Sequence, residues 1–329
     1  MPALAATDPL RLHLDAPAVI AAARAMIAGM VACLPQASLA SPPAASSLSL
    51  ASLRSPSSLT SPSPGARPGV AGGFPPTGGR KSANDHEGCR DAPAGAQREA
   101  VDSAAAAAGS PVAAETPSEG IAARLWRRIC PYPATEGLLA ALQAALVLLA
   151  DHELAASTLA ARVAASVRAD PYAVVATGLG ALGGPLHGGA SLGAEGMLAA
   201  AATPADAPRV VGELLRRTGR VPGFGHFVYR AGDPRAVCLL GLVARAAPGS
   251  PRVAVADAIL AEMRGRALPE PNIDFALAVL ADVAGMISGA GEAVFAVSRT
   301  AGWMAHALEE YARDVPLRPR AVYTGPPAG

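Results

Sequence analysis

The chain has 329 residues, enough for one large core or two smaller ones; 51% are hydrophobic, only 4% aromatic and 16% charged. A formal net charge of +1 gives no electrostatic case for binding nucleic acid or a membrane surface. Cys33, Cys89, Cys130 and Cys238 form no CxxC pair and no metal-ligand spacing, so reduced thiols, no metal and a cytoplasmic location are expected.

Asp15 to Leu34 reads as a helix, apolar at most positions around Arg24. It has no basic leader, so no signal peptide is expected. From about Pro35 to Ser118 the chain turns to Ser, Pro, Ala and Gly, as in Ser61-Pro62-Ser63-Pro64-Gly65. Such a stretch cannot bury enough apolar area to offset its ordering entropy, and the segment 35–120 is predicted to be disordered.

Beyond Ile121, helix follows helix: Thr135–Ala150, Leu154–Val167, Pro171–Leu182, Leu192–Ala202, Ala207–Thr218, Pro234–Ala246, Arg252–Arg266, Asn272–Ile287 and Glu292–Arg313, separated by Gly and Pro breaks. The apolar run from Gly137 to Ala150, interrupted by Gln143, is too short to span a bilayer and reads as a buried helix. Only Leu317–Thr324 suggests extended chain. The fold class is all-α.

Two segments each centre on one histidine. They are Gly183-Gly184-Pro185-Leu186-His187-Gly188-Gly189 and Val221-Pro222-Gly223-Phe224-Gly225-His226, the second running on to Asp233-Pro234-Arg235. Small residues strip bulk from around each imidazole, so a ligand can approach the backbone closely. A lone histidine among apolar residues is more often structural. Two such turns, each feeding a helix, make substrate polarisation the better reading.

With their neighbours, these segments resemble the citrate synthase family. The similarity runs from about Ala122 to Gly325. It rests on Asp151-His152-Glu153-Leu154 with Ala156-Ser157-Thr158, the two histidine segments, Pro271-Asn272-Ile273-Asp274-Phe275, Ser298-Arg299 with Gly302-Trp303-Met304-Ala305-His306, and Arg318-Pro319-Arg320.

The resemblance implies an all-α enzyme with a large helical domain (a remnant at 1–34, then 121–184 and 283–329) and a smaller one at 185–282, the cleft between them holding the site. It implies an acyltransferase that condenses acetyl-CoA with oxaloacetate and hydrolyses citryl-CoA, as in the tricarboxylic acid cycle, with no cofactor beyond the thioester substrate. Asp274 would be the base, His187 the donor to the enolate oxygen, and His226 the group that polarises the ketone. His152, Arg235 and Arg299 would hold substrate carboxylates, with Arg318 reaching in from a neighbouring subunit of a homodimer or larger assembly. The backbone of Val221, Pro222, Gly223, Phe224 and Gly225 would meet CoA.

Planar bidentate donors suit carboxylates, which favours arginine in those positions. His152, between Asp151 and Glu153, is expected to be cationic. Asp274 poses a difficulty: after the N-cap Asn272 it stands in a first helical turn, where the dipole favours the carboxylate and weakens the base. Desolvation would have to restore its basicity. His306 receives no role, Trp303 reads as packing, and Cys238 as core.

The sequence departs from the family at Ala155 and Ser191, where Asn is common, at Phe227 in place of a frequent Arg, and at Ala276-Leu277 in place of Tyr-Ser. Two alternatives stay open: a 2-methylcitrate synthase using propionyl-CoA, and a catalytically silent relative that binds acyl-CoA or a dicarboxylate.

Overall fold

The computed structural model describes residues 1–37, 119–184, 186–322 and 324–325. In chain order the helices are α1 (Pro2–Thr7), α2 (Ala16–Cys33), α3 (Ile121–Ile129), α4 (Glu136–Leu149), α5 (Ala156–Ser166), α6 (Pro171–Leu182), α7 (Ala190–Ala199), α8 (Ala207–Thr218), α9 (Pro234–Ala246), α10 (Pro251–Gly265), α11 (Ile273–Ala284) and α12 (Ala290–Arg313). No strand occurs among the described residues, so the all-α expectation holds.

The helix starts follow local chemistry. Asp170 accepts from Tyr172 N and Ala173 N ahead of α6, with Pro171 in the first turn. Asp233 and Pro234 open α9 the same way, and Asn272 opens α11 by accepting from Asp274 N and Phe275 N. Each cap satisfies backbone donors that have no partner inside the helix, worth about 1 kcal/mol apiece. Gly219 and Gly285, both at φ +68°, end α8 and α11 in the left-handed conformation that glycine adopts without steric cost.

The helix α12 is the central post, packed on α2, α4, α5, α6, α7 and α11. Its buried face includes Phe295, Arg299, Trp303 and Tyr311. Two close approaches fix it. The Trp303 indole lies flat against Gly178 of α6, where a Cβ would come within 2.7 Å of the ring. A Cβ on Gly302 would collide with the Ala150 carbonyl, so α12 crosses directly beneath the turn that carries His152. On the other side α11 is buried between α7 and α9, while α9 also rests on α4. Thus α5, α7 and α11 pack on α12 directly, and α9 joins them through α11 and α4.

Several expectations are corrected. The helix expected from Leu154 begins at Ala156, because Glu153 takes a left-handed φ of 50° and breaks the chain there. The helix expected to reach Ile287 stops at Ala284, before Gly285. The helix expected from Leu192 starts at Ala190, and α1 and α3 were not anticipated. The described part of Leu317–Thr324 joins no sheet. Cys238 is exposed on α9 rather than part of its core, whereas Cys130 is buried. The expected disorder of 35–120 lies outside the described residues, apart from 35–37 and 119–120. Among those described, α2 alone is long and apolar enough to cross a bilayer by length and composition. Here its buried residues, among them Val19, Ala22 and Met26, belong to the core, and the helix packs on α12, α3 and α6.

Candidate active site

The loop before α9 is laced to the start of α11. Gly225 N donates to Glu270 O at 2.8 Å, Asn272 N to Gly223 O at 2.9 Å, and Asn272 Nδ2 to Gly225 O at 2.8 Å. Gly223, at φ +80°, lies so close to Phe275 that a Cβ would come within 2.8 Å of that side chain. Phe224 packs at a tilt against Phe275 with ring centroids 4.8 Å apart. Only glycine fits this contact, and the contact brings His226 to the first turn that carries Asp274. The Val221–Gly225 segment is thus a rigid strap on α11.

The tautomer of His226 is fixed by its own loop. Its Nδ1 accepts from Val228 N at 3.0 Å and Tyr229 N at 3.1 Å, so the proton sits on Nε2. Burial, then the Arg235 charge, lowers its pKa and keeps it neutral. Nε2 faces Arg235 Nη2 at 3.5 Å. Both atoms are donors, so an acceptor oxygen is what could satisfy the pair.

Arg235 is held by Asp233 through Nε to Oδ1 at 3.0 Å and Nη2 to Oδ2 at 2.8 Å, both partners being buried. Asp233 Oδ2 also accepts from Ile273 N at 3.1 Å. One carboxylate therefore ties the arginine of α9 to the turn bearing Asp274. Tyr229 covers the group, 5.4 Å from the Arg235 guanidinium carbon and 4.9 Å from the His226 ring.

Asp274 Oδ1 is sealed from solvent without a hydrogen-bond partner. Burial raises the carboxyl to about 6, more than the Arg235 charge lowers it. Desolvation thus overrides the first-turn position, and the difficulty anticipated for the base does not arise.

His152 corrects the expectation of a cation. Its pKa falls to about 4, first through burial and then through the Arg235, His226 and Arg299 charges. The flanking acids do not oppose this. Asp151 accepts from His306 Nε2 at 3.1 Å, and Glu153 is exposed. His306, given no role by the sequence, therefore clamps this turn, its Nδ1 accepting from Arg162 Nη1 at 2.5 Å. The His152 ring stands edge-on to His226 at 5.3 Å, with its Nε2 buried and unpartnered.

Arg299 closes the far wall. Its Nε donates to Leu149 O at 2.8 Å, while Nη1 and Nη2 are buried with no protein acceptor. Burial and then Arg235 lower its pKa to about 10. Phe295 joins it to His187, lying 4.8 Å below the guanidinium and 5.9 Å from the imidazole. His187 is bonded through Nε2 to Ser157 Oγ at 2.8 Å, and burial with the Arg299 charge lowers its pKa.

One chain thus gathers His152, His187, His226, Arg235, Asp274 and Arg299 around a common centre. It does not bring Arg318 there: that side chain is exposed, next to Leu317, whose N–H bonds Ser166 at the end of α5. Sequence reasoning missed Ser157, Tyr229, Asp233 and the part played by Trp303, although all lie in or beside the quoted motifs. Among the described residues no group of three or more His, Cys, Asp or Glu could hold a metal. The donors present are arginine and neutral imidazole, which suit a carboxylate-bearing ligand.

The comparisons agree with this chemistry. A family model for the citrate synthase C-terminal domain matches residues 82–320. Citrate synthase 2 of Bacillus subtilis is 40% identical over 189 residues, 55% of this chain and 50% of that protein. The 2-methylcitrate synthase 1 of Corynebacterium glutamicum is 33% identical over 183 residues, 55% of this chain and 48% of that one. The chain spans about half the length of the curated relatives it matches. In three dimensions it resembles citryl-CoA lyase from Hydrogenobacter thermophilus, with a TM-score of 0.58 and 27% identity, covering 65% of this chain and 87% of the other.

Proposed function

The chain belongs to the citrate synthase family, and from that membership we propose that it condenses acetyl-CoA with oxaloacetate and hydrolyses citryl-CoA to citrate and CoA. The observation that carries this reading is the set of sealed polar atoms without protein partners: Arg299 Nη1 and Nη2, His152 Nε2 and Asp274 Oδ1. Buried groups of this kind normally have partners, so these call for a ligand. Cationic donors beside a desolvated base suit a dianion next to a weak carbon acid.

Asp274, raised to about 6, is basic enough to take a proton from the thioester methyl and is ionised at neutral pH. His187 donates to the enolate oxygen that develops. His226 and Arg235 converge on the ketone side of oxaloacetate, and Arg299 takes a carboxylate. The enolate carbon attacks the polarised ketone, and water then cleaves the citryl thioester. No cofactor beyond the thioester is invoked, and the small domain at 185–282 is proposed to close over it.

A homodimer is part of the same proposal. Leu159 and Val163 of α5 and Val167, just past its end, recur every four residues and are 49%, 42% and 62% exposed. That apolar stripe ends near Ser166, where the segment leading to Arg318 is pinned. A second copy covering it would be positioned to receive Arg318.

The Corynebacterium relative supports a close alternative, propionyl-CoA as donor. One methylene is worth about 1–3 kcal/mol in an apolar pocket, so the two donors are separated by their kcat/KM ratio. Oxaloacetate-dependent release of CoA thiol from each thioester tests both readings. Oxaloacetate binding without thiol release with either donor would leave the silent relative.

A further inference from the structure

We propose that His306 is a positioning residue for His152: oriented by Arg162, it holds Asp151 and thereby sets how tightly the site binds oxaloacetate. Gly302, His306 and Glu310 recur every four residues along α12, with Glu309 beside them, so they share one face of that helix. That face meets α5 and the turn ahead of it. Arg162 of α5 is buried there and turns both terminal nitrogens toward α12. Its Nη1 donates to His306 Nδ1 at 2.5 Å and to Glu309 Oε2 at 2.6 Å, while Nη2 pairs with the buried Glu310.

This cluster decides which way His306 works. A guanidinium can only donate, so Nδ1 is the acceptor. The ring proton then stands on Nε2, where Asp151 Oδ1 receives it at 3.1 Å. Burying an arginine and a glutamate between two helices is costly, and such a pair is seldom a net source of stability. What the fixed pair supplies here is geometry, the orientation of one imidazole.

Two contacts then immobilise the turn. The Ala150 carbonyl rests on Gly302, where a Cβ would strike it, and His306 grips Asp151 itself. The next residue is His152, whose Nε2 is sealed without a partner and whose ring stands 5.3 Å from that of His226. Beyond it Glu153, at φ 50°, ends the turn. Backbone fixed at residue 151 leaves the His152 ring little freedom, and misplacing a binding group by about 1 Å can cost roughly 10²-fold. His306 itself is bonded to Arg162 and Asp151, one step removed from the orphaned atoms of the site. The link to oxaloacetate rests on the proposed condensation, whereas the hold on the turn is independent of it.

The test joins nitrogen-15 relaxation of the full-length protein to steady-state kinetics. In the wild type the amides of Asp151, His152 and Glu153 should show order parameters of about 0.85, and in His306→Leu they should fall toward about 0.6. The amides of α5 and α12 should keep their wild-type values. His306→Gln, whose amide extends as far as Nε2 and can donate to Asp151, should restore the rigid turn. His306→Asn, whose amide reaches only as far as Nδ1, should not. In the Leu and Asn variants KM for oxaloacetate should rise by about 10- to 10²-fold, with KM for acetyl-CoA unchanged. That rise should vanish when His152→Gln is already present, because residues acting through one another do not add. An unchanged turn in His306→Leu, or losses that add to those of His152→Gln, would overturn the proposal. Should His306→Leu fail to fold, Asp151→Ala at an exposed position breaks the same bond, carries the same expectations and decides alone. A wild-type protein that neither binds oxaloacetate nor releases thiol would sink the condensation, and the order parameters would still decide the hold on the turn.

Discussion

His226 Nε2 and Arg235 Nη2 face each other at 3.5 Å, and both carry hydrogens. Two donors at that distance repel unless an oxygen lies between or beside them. His226 cannot escape by changing tautomer, because Val228 N and Tyr229 N hold its Nδ1 as an acceptor. Arg235 cannot swing away, because Asp233 grips its other face. The site is therefore built around a ligand oxygen before the ligand arrives. Preorganisation of this sort is how a protein stabilises developing charge without reorganising during the reaction.

Asp274→Asn should lower thioester turnover by roughly 10²–10⁴-fold, the usual contribution of a positioned base. The same substitution should raise stability. A carboxyl lifted from 3.8 to about 6 in the folded state binds more protons folded than unfolded between those values, so stability falls as pH rises through that window. Above it the full penalty applies, on the order of 2–3 kcal/mol at about 1.36 kcal/mol per pKa unit. Melting curves should show the variant more stable at pH 8 and indistinguishable from wild type near pH 4.

The acid limb of kcat/KM should report Asp274 rather than a histidine. His152 lies near 4, and His187 and His226 are both lowered from their usual value. Activity should therefore fall below about pH 6 with the protonation of a single group. In Asp274→Glu the midpoint should move while the limb remains. A midpoint above 7 that tracks His226 substitutions would contradict this assignment.

Arg299→Gln should abolish ligand-induced stabilisation. Wild-type protein at a hundredfold excess of oxaloacetate over its Kd should gain about 2.7 kcal/mol, seen as a rise in melting temperature. The variant should show no rise. Without ligand it should melt no lower than wild type, because it removes a buried charge whose Nη1 and Nη2 have no protein acceptor.

Val163→Glu on the exposed stripe of α5 should reduce self-association in light scattering while helix content stays unchanged. Arg318→Ala and Asp274→Asn, each inactive alone, should regain activity when mixed if Arg318 serves the neighbouring site. Failure to complement, with mixed oligomers formed, would place Arg318 outside the site.

Much of the architecture is legible in the sequence because the caps are local. Asp170-Pro171, Asp233-Pro234 and Gly219 mark α6, α9 and the end of α8 within a few residues of each break. The positions of His187, His226, Asp274 and Arg299 are legible through short motifs. Their protonation is not, since it depends on burial and on charges distant along the chain. His152 shows this most clearly: Asp151 and Glu153 flank it in sequence, yet His306 and solvent claim them, and burial, followed by the Arg235 charge, keeps it neutral instead. Cys238 was misplaced for a related reason, since α9 buries Arg235, Ala236 and Leu239 and turns the intervening positions outward.

The most direct test of the whole account is a stoichiometric assay of purified protein with acetyl-CoA and oxaloacetate, following CoA thiol and citrate together. The account predicts one citrate per thiol, release dependent on oxaloacetate, and its near-complete loss in Asp274→Asn. Thiol release that is independent of oxaloacetate, or undiminished in Asp274→Asn, would contradict it.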